Sequence, residues 1–283
     1  MIRCERLSVE RSGQIVVDRV SLAVPPGRAL AVIGRSGAGK SSLLAALAAA
    51  LPVHGGDYFV DDISAGREPE RVRRLIGYVP ARLDAWPAAR AADVLELFAV
   101  AAGLSREATA RAVARALSLA RVAAGDRVDR LADGAAKRLL VARALLNDPA
   151  VLLFDDPFSG LDPFDRGEVE RIIGDATLLG RTVVAALDDA HVPDCFTHLA
   201  VLAAGRIVAE GEASPAAFSA HPRQAYGGGR IEGSRGIGQQ MQSAEVEKIQ
   251  RVAAGTVIQL FATNGEGDDL GCAGCDSLLH QLK

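Results

Sequence analysis

The sequence of 283 residues is poor in cysteine and aromatic residues, has no net positive charge and has no long apolar run. The longest apolar run, residues 43–53, is too short to cross a bilayer. Charged residues within positions 1–6 argue against a signal peptide. Four cysteines are too few and too scattered for a disulfide scaffold, which favours a reducing compartment: Cys4, Cys195, Cys272 and Cys275. We therefore expect a cytoplasmic protein.

The charge balance argues against a nucleic-acid-binding protein. Lysine and arginine total 32 against 35 aspartate and glutamate residues, a net charge of −3, so no general basic surface is available for nucleic acid or anionic lipid. Hydrophobic residues make up 49% and charged residues 24%, which is typical of a folded globular chain and excludes a fibrous or fully disordered one.

Short β-branched runs and turn signals predict a strand-rich opening, with strands at 7–9, 15–17, 20–24 and 29–33. A helix is predicted over 41–51, followed by a strand at 75–79. Residues from about 88 to 146 have helical spacing, with Ser105 as a candidate N-cap, and predict an all-helical insert. The α/β pattern then returns, with strands at 151–154, 182–187, 199–202 and 207–209 and a helix over 166–179. The insert therefore interrupts a doubly wound core.

The composition changes near residue 222. We expect a domain over residues 1–220, a glycine-rich linker over 221–240 and a separate C-terminal extension over 241–283 that is either a small α+β unit or flexible. Within the extension, Cys272, Cys275 and His280 offer three zinc ligands with no fourth nearby. A surface pair of cysteines with no metal or redox role is the favoured interpretation.

The loop after the strand at 29–33 has the pattern G-x-x-x-x-G-K-[ST]: Gly34, Arg35, Ser36, Gly37, Ala38, Gly39, Lys40 and Ser41. Its glycines let successive backbone amides point at phosphate oxygens, and the next helix adds its positive end, which includes Ser42. Lys40 is predicted to reach the β and γ phosphates. An exposed glycine turn without a ligand is the weaker alternative, so we expect ATP or another nucleoside triphosphate.

A magnesium ion is predicted to accompany the nucleotide. The hydroxyl of Ser41 is one expected ligand, and Asp155, which ends the apolar strand at 151–154, is the carboxylate predicted to share the ion. We expect these residues to meet at the ends of adjacent strands.

The phosphate loop, the helical insert and the sequence 157–162 after Asp155 together resemble the ATP-binding cassette (ABC) family over about residues 1–215. This resemblance implies a RecA-like P-loop NTPase α/β core, a nucleotide-sandwich dimer with a second cassette and separate integral membrane permease subunits. It also implies a location on the cytoplasmic face of the cell membrane. Lys137, Arg138 and residues 154–163 look most like the cassettes of bacterial lipid transporters that serve MCE proteins.

Several positions depart from the family pattern. Arg11 stands where relatives stack an aromatic ring on adenine, although a guanidinium can also stack on a base. Ala81 replaces the glutamine of the Q-loop. In the signature, L-S-G-G-Q in relatives, Ala132 lacks a hydroxyl and Asp133 places a carboxylate where the γ-phosphate would approach.

The predicted catalytic residues also differ. Asp156 takes the place of the glutamate that polarises water and is one methylene shorter, while Asp188 falls where relatives have a histidine. A register shift could bring His191 into that role. We therefore predict slow hydrolysis in an ATP-binding transporter subunit, with drift in a competent ATPase as the other interpretation. A regulatory or scaffold module without a transport role is the alternative function.

Overall fold

The computed structural model describes residues 1–82, 89–187 and 192–213. Four sequence predictions lie outside these ranges: Asp188, His191, the linker at 221–240 and the extension at 241–283 with its cysteines. No helix in the described ranges is long and apolar enough to span a membrane.

The first sheet is antiparallel and holds four strands in the order β2-β1-β4-β5: β1 (Ile2–Arg11), β2 (Gln14–Val24), β4 (Gly55–Val60) and β5 (Ile63–Ser64). A tight turn joins β1 to β2, with positive φ at Ser12 and Gly13. Ile2 and Cys4 are buried and, after a register shift in the strand, so are Leu7 and Val9, as expected for a strand with one face on a core. The sequence did not predict β4 and β5.

The second sheet has six strands in the order β10-β9-β3-β8-β7-β6: β3 (Ala29–Ile33), β6 (Ile76–Val79), β7 (Val151–Asp155), β8 (Thr182–Leu187), β9 (His198–Ala203) and β10 (Arg206–Glu212). All neighbours pair in parallel except β9 and β10. Every residue of β3, β7 and β8 is buried, which explains their continuous apolar sequences.

The described ranges hold six α-helices: α1 (Lys40–Leu47), α2 (Pro69–Arg74), α3 (Ala91–Ala101), α4 (Arg106–Ala120), α5 (Asp133–Ala144) and α6 (Pro163–Leu178). Helices α1, α5 and α6 pack on the faces of the six-stranded sheet. Helix α1 lies between the two sheets, where Leu43, Leu44 and Leu47 join a core with residues from both. The opposite face of the six-stranded sheet packs on α5 and α6. This architecture is an α/β P-loop fold.

The expected helical insert contains α3, α4 and α5, with a short 3-10 helix at Val128–Arg130 between α4 and α5. Their buried faces form a separate core that includes Leu95 and Leu139. The predicted cap at Ser105 is confirmed, since its side chain accepts a hydrogen bond from the amide of Ala108.

Two helix boundaries were wrong. Helix α1 ends at Leu47 instead of Leu51, because the chain turns through a left-handed residue at Ala49. Helix α6 begins at Pro163, earlier than expected, because Asp162 caps it by accepting from the amide of Asp165 at 2.8 Å.

Candidate functional site

The phosphate loop connects the end of β3 to the start of α1 over residues 34–39. A Cβ on Gly34 would lie 2.2 Å from the carbonyl oxygen of Leu202, and one on Gly39 would lie 2.3 Å from that of Val16. Gly39 also has a φ of 106°, a conformation that side chains disfavour. Two of the three loop glycines are therefore required by close backbone packing. Gly37 also has a positive φ but faces open space.

Lys40 is the first residue of α1 and is almost fully buried. Its ammonium lies against the loop and donates to the carbonyl oxygens of Gly34 at 2.6 Å and Arg35 at 3.1 Å. The loop, the lysine and the amino end of α1 thus gather positive charge and backbone N–H groups in one place, which suits a phosphate chain.

Ser41 and Asp155 are in direct contact. The Ser41 hydroxyl donates to Oδ1 of Asp155 at 2.9 Å, and Asp155 is buried at the end of β7. A hydroxyl and a carboxylate oxygen at this separation fit a shared Mg²⁺ ion, which prefers oxygen ligands. The expectation that they sit on adjacent strands was wrong, because β8 lies between β3 and β7. The contact forms because α1 carries Ser41 across to β7.

The remaining loop candidates differ in exposure. Arg35 and Ser36 are exposed, Ala38 is buried, and Ser42 is buried in the first turn of α1. Arg11 is exposed at the end of β1, beside the turn to β2. Its role at an adenine base stays a prediction.

Asp156 directly follows β7 and is held in a left-handed conformation with a φ of 47°. Its amide donates to the carbonyl oxygen of Ala186 at 2.9 Å, and its own carbonyl accepts from the ammonium of Lys137 at 2.9 Å. Both main-chain polar groups of Asp156 are therefore fixed. Asp156 lies next to Asp155, as its proposed role requires, whereas Asp188 lies outside the described residues.

Lys137 has a structural role that its sequence pattern did not indicate. It is almost fully buried on α5 and also donates to the carbonyl oxygen of Ala81 at 2.8 Å. Burial lowers the pKa of its ammonium, and the nearby carboxylates of Asp156 and Asp155 oppose that shift. A buried cation thus links the helical insert, the segment after β6 and the end of β7. Its partners are backbone carbonyls, so no side-chain motif could have revealed them.

The residues at the signature position form the start of α5. Ala132 is the N-cap and makes no side-chain cap bond, while Asp133 is exposed in the first turn. A Cβ on Gly134 would lie 1.6 Å from Oδ2 of Asp165, whose carboxylate forms an ion pair with Arg138. A larger residue at position 134 would displace the Asp165 carboxylate and its ion pair with Arg138, where α5 meets α6, whether or not a ligand is bound.

Arg143 makes a second link between α5 and β6. Its guanidinium donates to the carbonyl oxygen of Tyr78 at 2.7 Å and lies 4.6 Å from the centroid of the Phe98 ring. Burial lowers the pKa of Arg143 to about 10. Together, Lys137 and Arg143 fasten residues 78–81 to the insert.

The fold and the loop define a P-loop nucleotide-binding protein. The profile of the family described as ABC transporter matches residues 17–159. That match covers half of the sequence, and the chain belongs to the ABC transporter family.

Three curated proteins are among its relatives. The Nod factor export ATP-binding protein I of Cupriavidus metallidurans is 31% identical over 70% of this chain and 66% of its own length. The macrolide export ATP-binding/permease protein MacB of Burkholderia pseudomallei is 33% identical over 69% of this chain and 31% of its own length. The zinc import ATP-binding protein ZnuC of Pseudomonas aeruginosa is 32% identical over 62% of this chain and 60% of its own length. The chain therefore spans less than two thirds of each relative.

Solved structures support the same fold. A dimeric ATP-binding cassette in a post-hydrolysis state with ADP and Pi superposes with a TM-score of 0.68 at 23% identity, covering 75% of this chain and 98% of that one. The structure of an ATP-binding subunit of an ABC transporter gives a TM-score of 0.69 at 22% identity, covering 81% and 95%.

Proposed function

We propose that this chain is an ATP-binding subunit of an ABC-type transporter that binds MgATP. The observation that carries the proposal is the contact between Ser41 and Asp155 beside the phosphate loop. It places a hydroxyl and a buried carboxylate where the ion that accompanies a triphosphate would need oxygen ligands. The backbone amides of residues 34–39 and the ammonium of Lys40 would hold the phosphates.

The proposed partners are integral membrane permease subunits and a second cassette. The names of the three relatives describe export or import, and one of them combines an ATP-binding part with a permease. We propose that separate membrane subunits carry out the transport step and that this chain lies peripherally on the cytoplasmic face of the cell membrane.

We further propose that hydrolysis is slow and that closure of the dimer on ATP matters more than turnover. Asp156 is one methylene shorter than glutamate, and positioned bases tolerate little displacement. Asp133 adds a negative charge to the amino end of α5, which would otherwise attract a phosphate. A turnover rate of about 1 per second or faster would contradict this part of the proposal.

Calorimetry tests nucleotide binding directly. Titration of MgATP into the folded chain is expected to show saturable binding, and Lys40→Ala is expected to weaken it by about tenfold or more, since a charge-assisted hydrogen bond to phosphate is lost. Arg67→Ala removes an exposed cation outside the loop and serves as the matched control. Absence of binding to well-folded protein would overturn the proposal.

Purification from membranes tests the transport role. A tagged chain is expected to co-purify with an integral membrane protein after extraction in mild detergent. Recovery in a soluble complex without any membrane protein would instead favour a regulatory or scaffold module.

A further inference from the structure

The turn at Asp156 places this residue in the left-handed region. Aspartate enters this region more readily than most residues other than glycine, but the conformation is still uncommon and needs contacts to fix it. Two contacts meet this need: the amide of Asp156 is held by the carbonyl oxygen of Ala186, and its carbonyl is held by the ammonium of Lys137. The first contact comes from the neighbouring strand β8. The second comes from α5, in the helical insert.

Burial of Lys137 is energetically costly, which makes its placement informative. An ammonium loses its hydration when buried, and two backbone carbonyl oxygens at 2.8 and 2.9 Å offset only part of that cost. The same two bonds join Ala81, in the segment that follows β6, to Asp156. A displacement of α5 would therefore move both segments through the Nζ atom of Lys137.

We propose that Lys137 is a positioning residue: it sets the backbone of Asp156, and so the direction of its carboxylate, and it transmits movements of the helical insert to that carboxylate. Ala81 has no side-chain amide to contribute to such a link. Lys137 supplies this link instead, by donating hydrogen bonds to the main-chain carbonyl oxygens of Ala81 and Asp156. The catalytic part of this inference rests on the proposed ATP chemistry, whereas its structural part does not.

Hydrogen exchange in the full chain tests the structural part without nucleotide. Lys137→Met keeps an unbranched chain and removes both bonds. It is expected to speed exchange by about tenfold in peptides covering residues 76–82 and 151–158, because the amide of Asp156 loses the turn that protects it. Lys137→Arg retains N–H donors and is expected to restore slow exchange.

Arg143→Met is the matched control, because it removes another cation of α5, one that donates to the carbonyl oxygen of Tyr78. It is expected to leave exchange over residues 151–158 unchanged. Unchanged exchange in Lys137→Met would overturn the proposal. Faster exchange throughout the chain, equal in both variants, would also overturn it, since it would show a merely structural role.

Steady-state kinetics test the catalytic part. Lys137→Met is expected to lower kcat by about tenfold or more and to leave KM for ATP within about twofold, with Lys137→Arg recovering most of the loss. An unchanged kcat would overturn the catalytic part. If the unaltered chain does not bind MgATP, the proposed function fails, and the exchange data still decide whether Lys137 holds the turn.

Discussion

Gly39 lies directly against the backbone of Val16, so that a Cβ at position 39 would be 2.3 Å from the Val16 carbonyl oxygen. The phosphate loop is thus packed on β2, a strand of the other sheet. Gly37, two residues earlier, faces open space although its φ is also positive. Substitutions at these two glycines can therefore distinguish the effect of close packing from the effect of backbone conformation.

We predict that Gly39→Ala weakens MgATP binding by about tenfold or more and lowers the melting temperature, because the loop must move away from β2. Gly37→Ala meets no atom and is expected to cost only the conformational strain, about 1 kcal/mol. Calorimetry and thermal unfolding of both variants check this. Equal effects would show that the contact with Val16 is unimportant.

Removing the negative charge at the start of α5 should increase ATP turnover. In the double variant Ala132→Ser, Asp133→Gly, a hydroxyl is added and a carboxylate is removed at an amino-terminal helix end. We expect the hydrolysis rate to rise by about tenfold, since about 1.4 kcal/mol of repulsion is a tenfold rate effect. Asp133→Asn separates charge from size, and an unchanged rate in both variants would contradict the prediction.

Lengthening the side chain at position 156 should also increase turnover. Asp156→Glu is expected to raise kcat by about tenfold, while Asp156→Asn should lower it and leave ATP affinity unchanged. Glutamate tolerates the left-handed conformation of this residue less well than aspartate, so the Glu variant should melt at a lower temperature. A rate in the Asn variant equal to that of the unaltered chain would exclude Asp156 as the base.

Alkaline pH should destabilise the fold through buried acids that are neutral when folded. Burial raises the pKa of the Cys4 thiol from 9.0 to about 12 and that of Tyr58 from 10.0 to about 12. A raised pKa means that the folded state holds its proton more tightly. This stabilisation is complete below the unfolded pKa values and is lost as pH rises from about 9 to 12.

At pH 10.5, Cys4 alone should account for about 2 kcal/mol of lost unfolding free energy relative to pH 7. Urea unfolding at both pH values measures the loss. Cys4→Ala is expected to start less stable and to lose less between the two pH values, since its core position no longer ionises. The same loss in both proteins would exclude Cys4 as a cause.

The features predictable from sequence are those set by local pattern. The loop from Gly34 to Ser41, the strand ending at Asp155 and the cap at Ser105 follow from spacing and residue type, and the structure contains each of them. The strands over 55–64 were missed because Gly55, Gly56 and Asp57 lack the alternating apolar pattern.

The order of the strands in the sheet and the contacts between distant segments could not be predicted from the sequence. Nothing in the sequence near Ser41 or Asp155 indicates that β8 lies between β3 and β7, because strand order depends on how the connections cross the sheet. The links from Lys137 to Ala81 and Asp156 were invisible for a related reason: backbone carbonyls are present at every position and carry no sequence signal.

Gly205, in the turn between β9 and β10, links the phosphate loop to β2. The Gly205 amide donates to the carbonyl oxygen of Ala38 in the phosphate loop, and its own carbonyl accepts from the amide of Asp18 on β2. Arg206 adds a charged contact to the Asp18 carboxylate. If a bound anion shifts the phosphate loop, these contacts would transmit the movement to the amino-terminal hairpin formed by β1 and β2. That hairpin is therefore a suitable place to attach a fluorescent reporter.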